Sequence, residues 1–322
     1  MNLWGDTAMS MRALSCSTFA AILMLPVLVV LTGCGGQPAS SAPAKPVIGV
    51  ALLTQTHIFY QDMVAAMEKE AEVQGFQLRL QFAEFDSRKQ HDQIETFIAQ
   101  GVSALVVAPA DSSGFAPIIA QARAANIPVF TADIAAQDAD VVSHIASDNV
   151  LGGKLLAEFL GKALQGKGEV AIVDHPTVTS VQERTKGFVE GLAQFPKISV
   201  IQRVPGEGQR DRAMRVTQDL LQAHPNLAAI FGINDDSALG ALAAVEAAGL
   251  QDKIIIVGFD GTPEARDAIK QGKALKADTV QYPDKIGATT IQMIAKQLKG
   301  ETLPKVVPVE VGLITQESLA AE

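Results

Sequence analysis

Cysteine is nearly missing from this sequence: Cys16 and Cys34 are the only two in 322 residues. No C-x-x-C spacing can form, and the five histidines (His57, His91, His144, His175 and His224) are too scattered for an H-E-x-x-H pair, so no metal site is expected. Phosphate-cradling loops are missing as well. No G-x-G-x-x-G or Walker A pattern follows any strand-like run, and neither a nucleotide nor any other cofactor is implied. There is no G-x-S-x-G nucleophile elbow, and Ser147-Asp148-Asn149 stands without the S-x-x-K and K-T-G elements that accompany an S-D-N in β-lactamases. An enzyme is therefore not expected. Basic residues are in deficit, 26 against 35 acidic ones, which leaves a net charge of −9 and no basic face for nucleic acid.

The longest apolar run, Phe19 to Leu31, is shorter than the roughly 20 residues of a membrane-spanning helix and carries Pro26. With Arg12 ahead of it and small residues behind, residues 1–33 read as a signal peptide. Leu31-Thr32-Gly33-Cys34 resembles a bacterial lipobox, which implies a lipidated Cys34 as the first mature residue. Cys16 would leave with the leader, so no disulfide is available and stability must come from burial. Residues 34–46 are small, polar and proline-rich, a composition that stays flexible and would tether the folded part to a membrane. The reading is an exported protein, periplasmic or on the cell surface.

From Val47 on, short β-branched runs alternate with longer stretches of helical period. VIGVALL is followed by Asp62 to Gln74, and FQLRLQF by Gln90 to Gln100. ALVVAP, IPVFTAD, VAIVD, AAIFGIND and IIIVGFD continue the rhythm. Alternation of this kind means parallel βαβ units, and continuous rather than alternating apolar strands mean a sheet covered on both faces. About 280 mature residues suffice for two domains. Several strands end in polar residues just where a helix begins: Asp111-Ser112-Ser113, Asp133, Asn234-Asp235 and Asp260-Gly261-Thr262-Pro263. Ligands of open α/β sheets collect at such strand ends. The same residue types are helix caps, and for Asp111 and Thr262 the cap is the preferred reading.

The stretch Val141 to Lys154 (VVSHIASDNVLGGK) and Val257 to Pro263 (VGFDGTP) resemble the ribose-binding proteins of bacterial importers. So do Ala223-His224-Pro225, the Asn234-Asp235 turn, Ala238 to Leu242 and Gln281 to Asp284, and the similarity runs essentially from Val47 onward. The resemblance implies the type I periplasmic binding protein fold: two Rossmann-like, doubly wound lobes joined by a three-segment hinge. Lobe 1 is expected at 46–147 plus 282–310, lobe 2 at 148–281 plus 311–322. It further implies a monomer that captures a monosaccharide or polyol without chemistry and delivers it to the membrane subunits of an ABC importer. Phe59 and Tyr60 match the aromatic pair that stacks on a sugar ring, and Asp133 a carboxylate that accepts hydroxyl hydrogen bonds. Arg184, Asn234, Asp260 and Gln281 match contacts of the second lobe and hinge.

Departures from the ribose binders lie at His57 and Ala108, where they have asparagine, at Ile134, where they have arginine, and at Gly208, where they have an aromatic. His57 is carried as a candidate contact or a solvated loop residue. Ile134 and Ala108 would suit a deoxy sugar, a polyol or a methyl-bearing ligand, whereas a missing aromatic at 208 would open space for a larger ring. Arg184 could instead pair with Glu183 or Glu190 on a surface. The rival function is a sensory receptor for a sugar-like signal such as a furanosyl autoinducer.

Overall fold

The computed structural model describes residues 45–321; the leader, Cys34 and nearly all of the linker lie outside them. Two six-stranded sheets organise the chain. The first is built from β1 (Val47–Leu52), β2 (Gln77–Phe82), β3 (Ala104–Val107), β4 (Val129–Ala132) and β5 (Ser143–Ser147), with α1 (Ile58–Gln74), α2 (Ser87–Ala99) and α3 (Ala116–Ala124) between strands. The chain then enters α4 (Asn149–Ala163) and lays down β6 (Lys167–Asp174), α5 (Thr179–Leu192), β7 (Lys197–Pro205), α6 (Arg210–Ala223), β8 (Leu227–Gly232), α7 (Asp235–Ala247), β9 (Ile255–Asp260), α8 (Pro263–Lys270) and β10 (Leu275–Val280). It returns through α9 (Pro283–Leu298) and β11 (Val306–Val309), and ends in β12 (Gly312–Thr315) and α10 (Gln316–Ala321).

The strand orders β2-β1-β3-β4-β5-β11 and β7-β6-β8-β9-β10-β12 are the same winding used twice. In each, the order reverses beside the first strand, the point at which open α/β sheets bind their ligands. All pairings in the first sheet are parallel, while β12 pairs antiparallel with β10. Three short passages link the two halves: Ser147 to Asn149, Val280 to Pro283, and Val309 to Gly312. This is the doubly wound, two-lobed architecture expected from the rhythm of the sequence.

Central strands β1, β3 and β4 are buried along nearly their whole length, while the edge strands β2 and β7 carry exposed positions. Continuous apolar runs therefore mark the middle of each sheet, where helices cover both faces. Helices begin earlier than their periodicity indicates. The first starts at Ile58 rather than Asp62 and the second at Ser87, where the Asp86 carboxylate accepts from the Arg88 and Lys89 N–H groups. No described helix is long and apolar enough to cross a membrane.

One contact between helices places the site. On α4 and α5, a Cβ at Gly153 would sit 2.1 Å from the Arg184 carbonyl, and one at Gly187 would sit 2.0 Å from that of Val150. Only glycine allows the two backbones to approach so closely. Arg184, on the inner face of α5, is thereby held against Asn149 at the start of α4.

Candidate functional site

At the strand ends where the two lobes face each other lies a small cavity of about 40 Å³. His57, Phe59, Tyr60, Asp133, Arg184, Asn234, Asp260 and Gln281 all line it. They come from the first turn of α1, the ends of β4, β8 and β9, the middle of α5 and the second passage between lobes.

Arg184 is the centre of the polar arrangement. Its Nε donates to Asn149 Oδ1 at 2.8 Å and one terminal nitrogen to the Ile233 carbonyl at 3.0 Å, while the guanidinium carbon lies 4.1 Å from the centre of the Phe259 ring. Terminal nitrogens also lie 3.9 Å from carboxylates of both lobes, Asp133 on one side and Asp260 on the other. The side chain is buried, so a surface pair with Glu183 or Glu190 does not form; Glu190 pairs with Lys154 and Lys186 instead. Burial raises the Asp133 carboxyl above the ordinary carboxylate range, with the Arg184 charge and a Tyr60 hydrogen bond opposing. For Asp260 burial raises it well above that range, followed by the Asp235 charge, against Arg184.

Tyr60 donates to Asp133 Oδ2 at 2.8 Å, and burial followed by the Asp133 charge pushes the phenol well above its usual value. The other Asp133 oxygen, Oδ1, is buried without a hydrogen-bond partner, as is Gln281 Oε1, although Gln281 donates through Nε2 to Asp260 Oδ1 at 2.7 Å. Both carboxylates sit on positive-φ backbone, Asp133 at 65° and Asp260 at 137°, conformations that favour glycine. Strain of this kind costs on the order of 1–3 kcal/mol and gathers at functional sites. Asn234 acts as a cap: its Oδ1 accepts from the Ser237 N–H, and Nδ2 donates to the Gly208 carbonyl at 3.2 Å. Thr262 caps α8, as expected, whereas Asp111 caps only the turn to Ser113.

The departures settle differently. Ile134 lines the cavity, but Ala108 does not; its carbonyl accepts from buried Gln90, which also ties the end of β1. Gly208 leaves no open space for a larger ring, contrary to expectation. Its φ is +67°, and a Cβ there would lie 3.5 to 3.9 Å from Asn234, His175 and His57. These imidazoles and Phe85 fill the place, with ring centres 5.5 Å apart for His57 and Phe85 and 6.5 Å for Phe85 and His175. Burial lowers both imidazoles below their ordinary value, and His57 spans the lobes to Asp236 at 3.3 Å. Reading the sequence overlooked Phe85 and His175. His175 directly follows the β6 run VAIVD, so the strand-end rule applied there would have found it.

A second set of contacts closes one lip of the cleft. Thr179, the first residue of α5, donates its N–H to Ser112 Oγ at 2.8 Å, while its hydroxyl accepts from the Ala135 N–H at 2.9 Å and meets the Ala135 carbonyl at 3.1 Å. The Ser112 N–H donates to the Thr177 carbonyl, and Gln137 donates to Gln182.

Residues 48–302 match a family described as periplasmic binding protein domain. The ribose import binding protein of Salmonella typhimurium is 35% identical over 294 residues, which is 91% of this chain and 98% of that protein. Among solved structures, an ABC transporter periplasmic solute binding protein from Actinobacillus succinogenes with bound D-allose is 30% identical. It superposes with a TM-score of 0.80 over 86% of this chain and 100% of its own. One from Bacillus halodurans with bound myo-inositol is 27% identical, with a TM-score of 0.81 over 88% and 98%. The chain belongs to the periplasmic binding protein family, in its type I, ribose-binding-like form.

Proposed function

We propose that this chain captures a monosaccharide or related polyol between its lobes, without chemistry, and presents it to the membrane subunits of an ABC importer. Relatives that bind D-allose, myo-inositol and, by name, ribose support a ligand of that class. One observation carries the reading. The residues lining the cavity include buried acceptors that have no hydrogen-bond partner, Asp133 Oδ1 from one lobe and Gln281 Oε1 from the passage to the other. Hydroxyl groups supply the donors these acceptors need, and a buried acceptor left unmet costs on the order of 1–3 kcal/mol. The faces of Phe59 and Phe85 offer apolar surface to the C–H side of a ring.

Binding in this scheme stabilises closure, because only the closed form brings Asp133 and the Arg184–Asp260 group to the same solute. The hinge divides the chain into 46–147 with 282–310 and 148–281 with 311–322. The anchor is a lipid on Cys34, and the protein works as an exported monomer at the membrane surface. Melting curves of residues 35–322 against pentoses, hexoses, deoxy sugars and polyols test the reading. A ligand at a thousand times its Kd adds about 4 kcal/mol, a shift of roughly 8–16 °C for domains of this size. One sugar giving such a shift, lost in Asp133→Ala, supports capture. A flat panel with a shift from an autoinducer overturns the importer role.

A further inference from the structure

Behind the cavity floor of lobe 2 two carboxyl groups face each other. Asp235 is the first residue of α7 and Asp278 lies within β10; both are buried. A Cβ at Gly258, on the strand between, would meet Asp278 Oδ2 at 2.7 Å and Asp235 Oδ1 at 3.1 Å, so the two oxygens point at the same spot. These are the two oxygens of the pair that have no hydrogen-bond partner among the described residues when both groups are ionised. Their other oxygens are occupied. Asp235 Oδ2 accepts from the Thr262 N–H at 2.7 Å, and Asp278 Oδ1 from the Gly261 N–H at 3.2 Å. The Asp235 N–H in turn approaches Asp260 Oδ2 at 3.4 Å. Two adjacent buried carboxylates with unmet oxygens repel each other; one proton between them removes the repulsion and satisfies both. Among the described residues no group of three or more His, Cys, Asp or Glu side chains is placed to hold a metal ion.

We propose that Asp278 and Asp235 share one proton, and that this pair is the positioning device that fixes the Asp260-Gly261-Thr262 turn and aims Asp260 into the cavity. Its effect on affinity rests on the sugar-capture reading; the proton itself does not. Asp278 is the member better placed to hold the proton, because Asp235 accepts the shorter N–H bond, 2.7 Å from Thr262 against 3.2 Å from Gly261 to Asp278; burial and then the Asp235 charge act in the same direction on Asp278. The charged groups facing the pair are Asp260 at the end of β9, and beyond it Arg184 from α5 and Asp236 beside Asp235. Positive φ at Asp260 explains why the turn needs a fixture: nothing in its own backbone preference holds it there.

Carbon-13 NMR of the aspartate side chains in the ligand-free, full-length folded chain tests the proton. The expected result at pH 7 is a protonated carboxyl signal that disappears in Asp278→Asn. Asp235 and Asp278 both ionised at pH 5 overturns the proposal whatever the protein binds. The positioning role is read from the pH profile of Kd for the sugar that gives the melting shift. In the wild type, affinity falls once pH rises past the loss of the shared proton. Asp278→Asn, whose amide donates to Asp235 and accepts from the Gly261 N–H, restores binding to within about threefold and flattens that fall. Asp278→Ala leaves Asp235 unmet and weakens binding about tenfold or more. Gly258→Ala, which wedges the pair apart while keeping both carboxyls, weakens binding as well. Equal losses in Asp278→Asn and Asp278→Ala with an unchanged pH profile overturn the positioning role. If no sugar binds, the capture reading fails while the NMR result still decides the pair.

Discussion

The two lobes have the same winding and almost opposite chemistry at the cleft. Lobe 1 brings an apolar wall, Leu53, Phe59, Phe85 and Ile134, with one buried polar pair, Tyr60 and Asp133. Lobe 2 brings a connected network in which Arg184, Asn149, Asp260, Gln281, Asp235 and Asp278 are each held by at least one neighbour. The same strand order therefore does not divide the work evenly. In lobe 2 the polar groups belong to the fold as much as to the site, because Arg184 ties the middle of α5 to Asn149 at the start of α4. In lobe 1 they are a single pair, Tyr60 and Asp133, whose aromatic ring belongs to the apolar core.

That contrast can be broken from the lobe 2 side first. Arg184→Ala strips Asp133 and Asp260 of their shared cation, and removing one partner of a buried charge group costs about 3–5 kcal/mol. Urea unfolding should show that loss, and calorimetry should show no binding of the sugar that shifts the melting curve. Tyr60→Phe in lobe 1 should cost about 1–3 kcal/mol of stability, less than Arg184→Ala, but weaken the same sugar about tenfold, since Asp133 loses the donor that orients it. Equal damage to stability from both substitutions would end the distinction. Thr179→Val removes the hydroxyl at the closed lip without touching the cavity. Scattering should show a larger radius of gyration without ligand and a few-fold weaker affinity, with stability of each lobe kept.

Acid sharpens the comparison with the smallest effect at neutral pH. His144 in β5 is pushed down by burial to about 4 from 6.5, and its Nδ1 lies 2.9 Å from the Thr131 hydroxyl. A depressed value means that the neutral ring contributes stability in full above about pH 6.5, and that the contribution is lost as pH falls through about 4. Asp260 and Asp278 in lobe 2 are raised, so their contribution is full below the ordinary carboxylate range and is lost as pH climbs through the folded-state values. Hydrogen exchange at pH 7 and pH 4.5 should show protection falling in β4 and β5 and holding or rising in β9 and β10. His144→Gln should remove the lobe 1 part.

Much of this was legible in the sequence because the signals are local. Continuous apolar runs marked the strands, and polar residues at their ends marked Asp133, Asn234 and Asp260, since a buried parallel sheet leaves only its strand ends for chemistry. Phe59 and Tyr60, Arg184, Gln281 and His57 came from resemblance alone, and the cavity gathers them from three separate stretches of chain. What stayed hidden depends on pairs far apart in sequence. Ser112 and Thr179 form the lip from 67 residues apart, and no local pattern says that a helix-start threonine will meet the opposite lobe. Asp235 looked like part of a cap, and Asp278 lies outside every apolar run that marked a strand. The filling of the space at Gly208 by Phe85 and His175 was equally unreadable, because a missing side chain says nothing about what moves in.

Tyr60 in the cleft and Tyr282 at the second passage between lobes are the only tyrosines of the sequence, and its single tryptophan, Trp4, lies ahead of the described residues. Tyr60 donates to a carboxylate that a solute would contest, while Lys285 lies 4.3 Å over the Tyr282 ring beside the hinge. Expressed from residue 35 onward, the protein thus carries two tyrosine fluorophores, one in the cavity and one beside the second passage, so a solute that breaks the Tyr60–Asp133 bond should change its ultraviolet emission without a label.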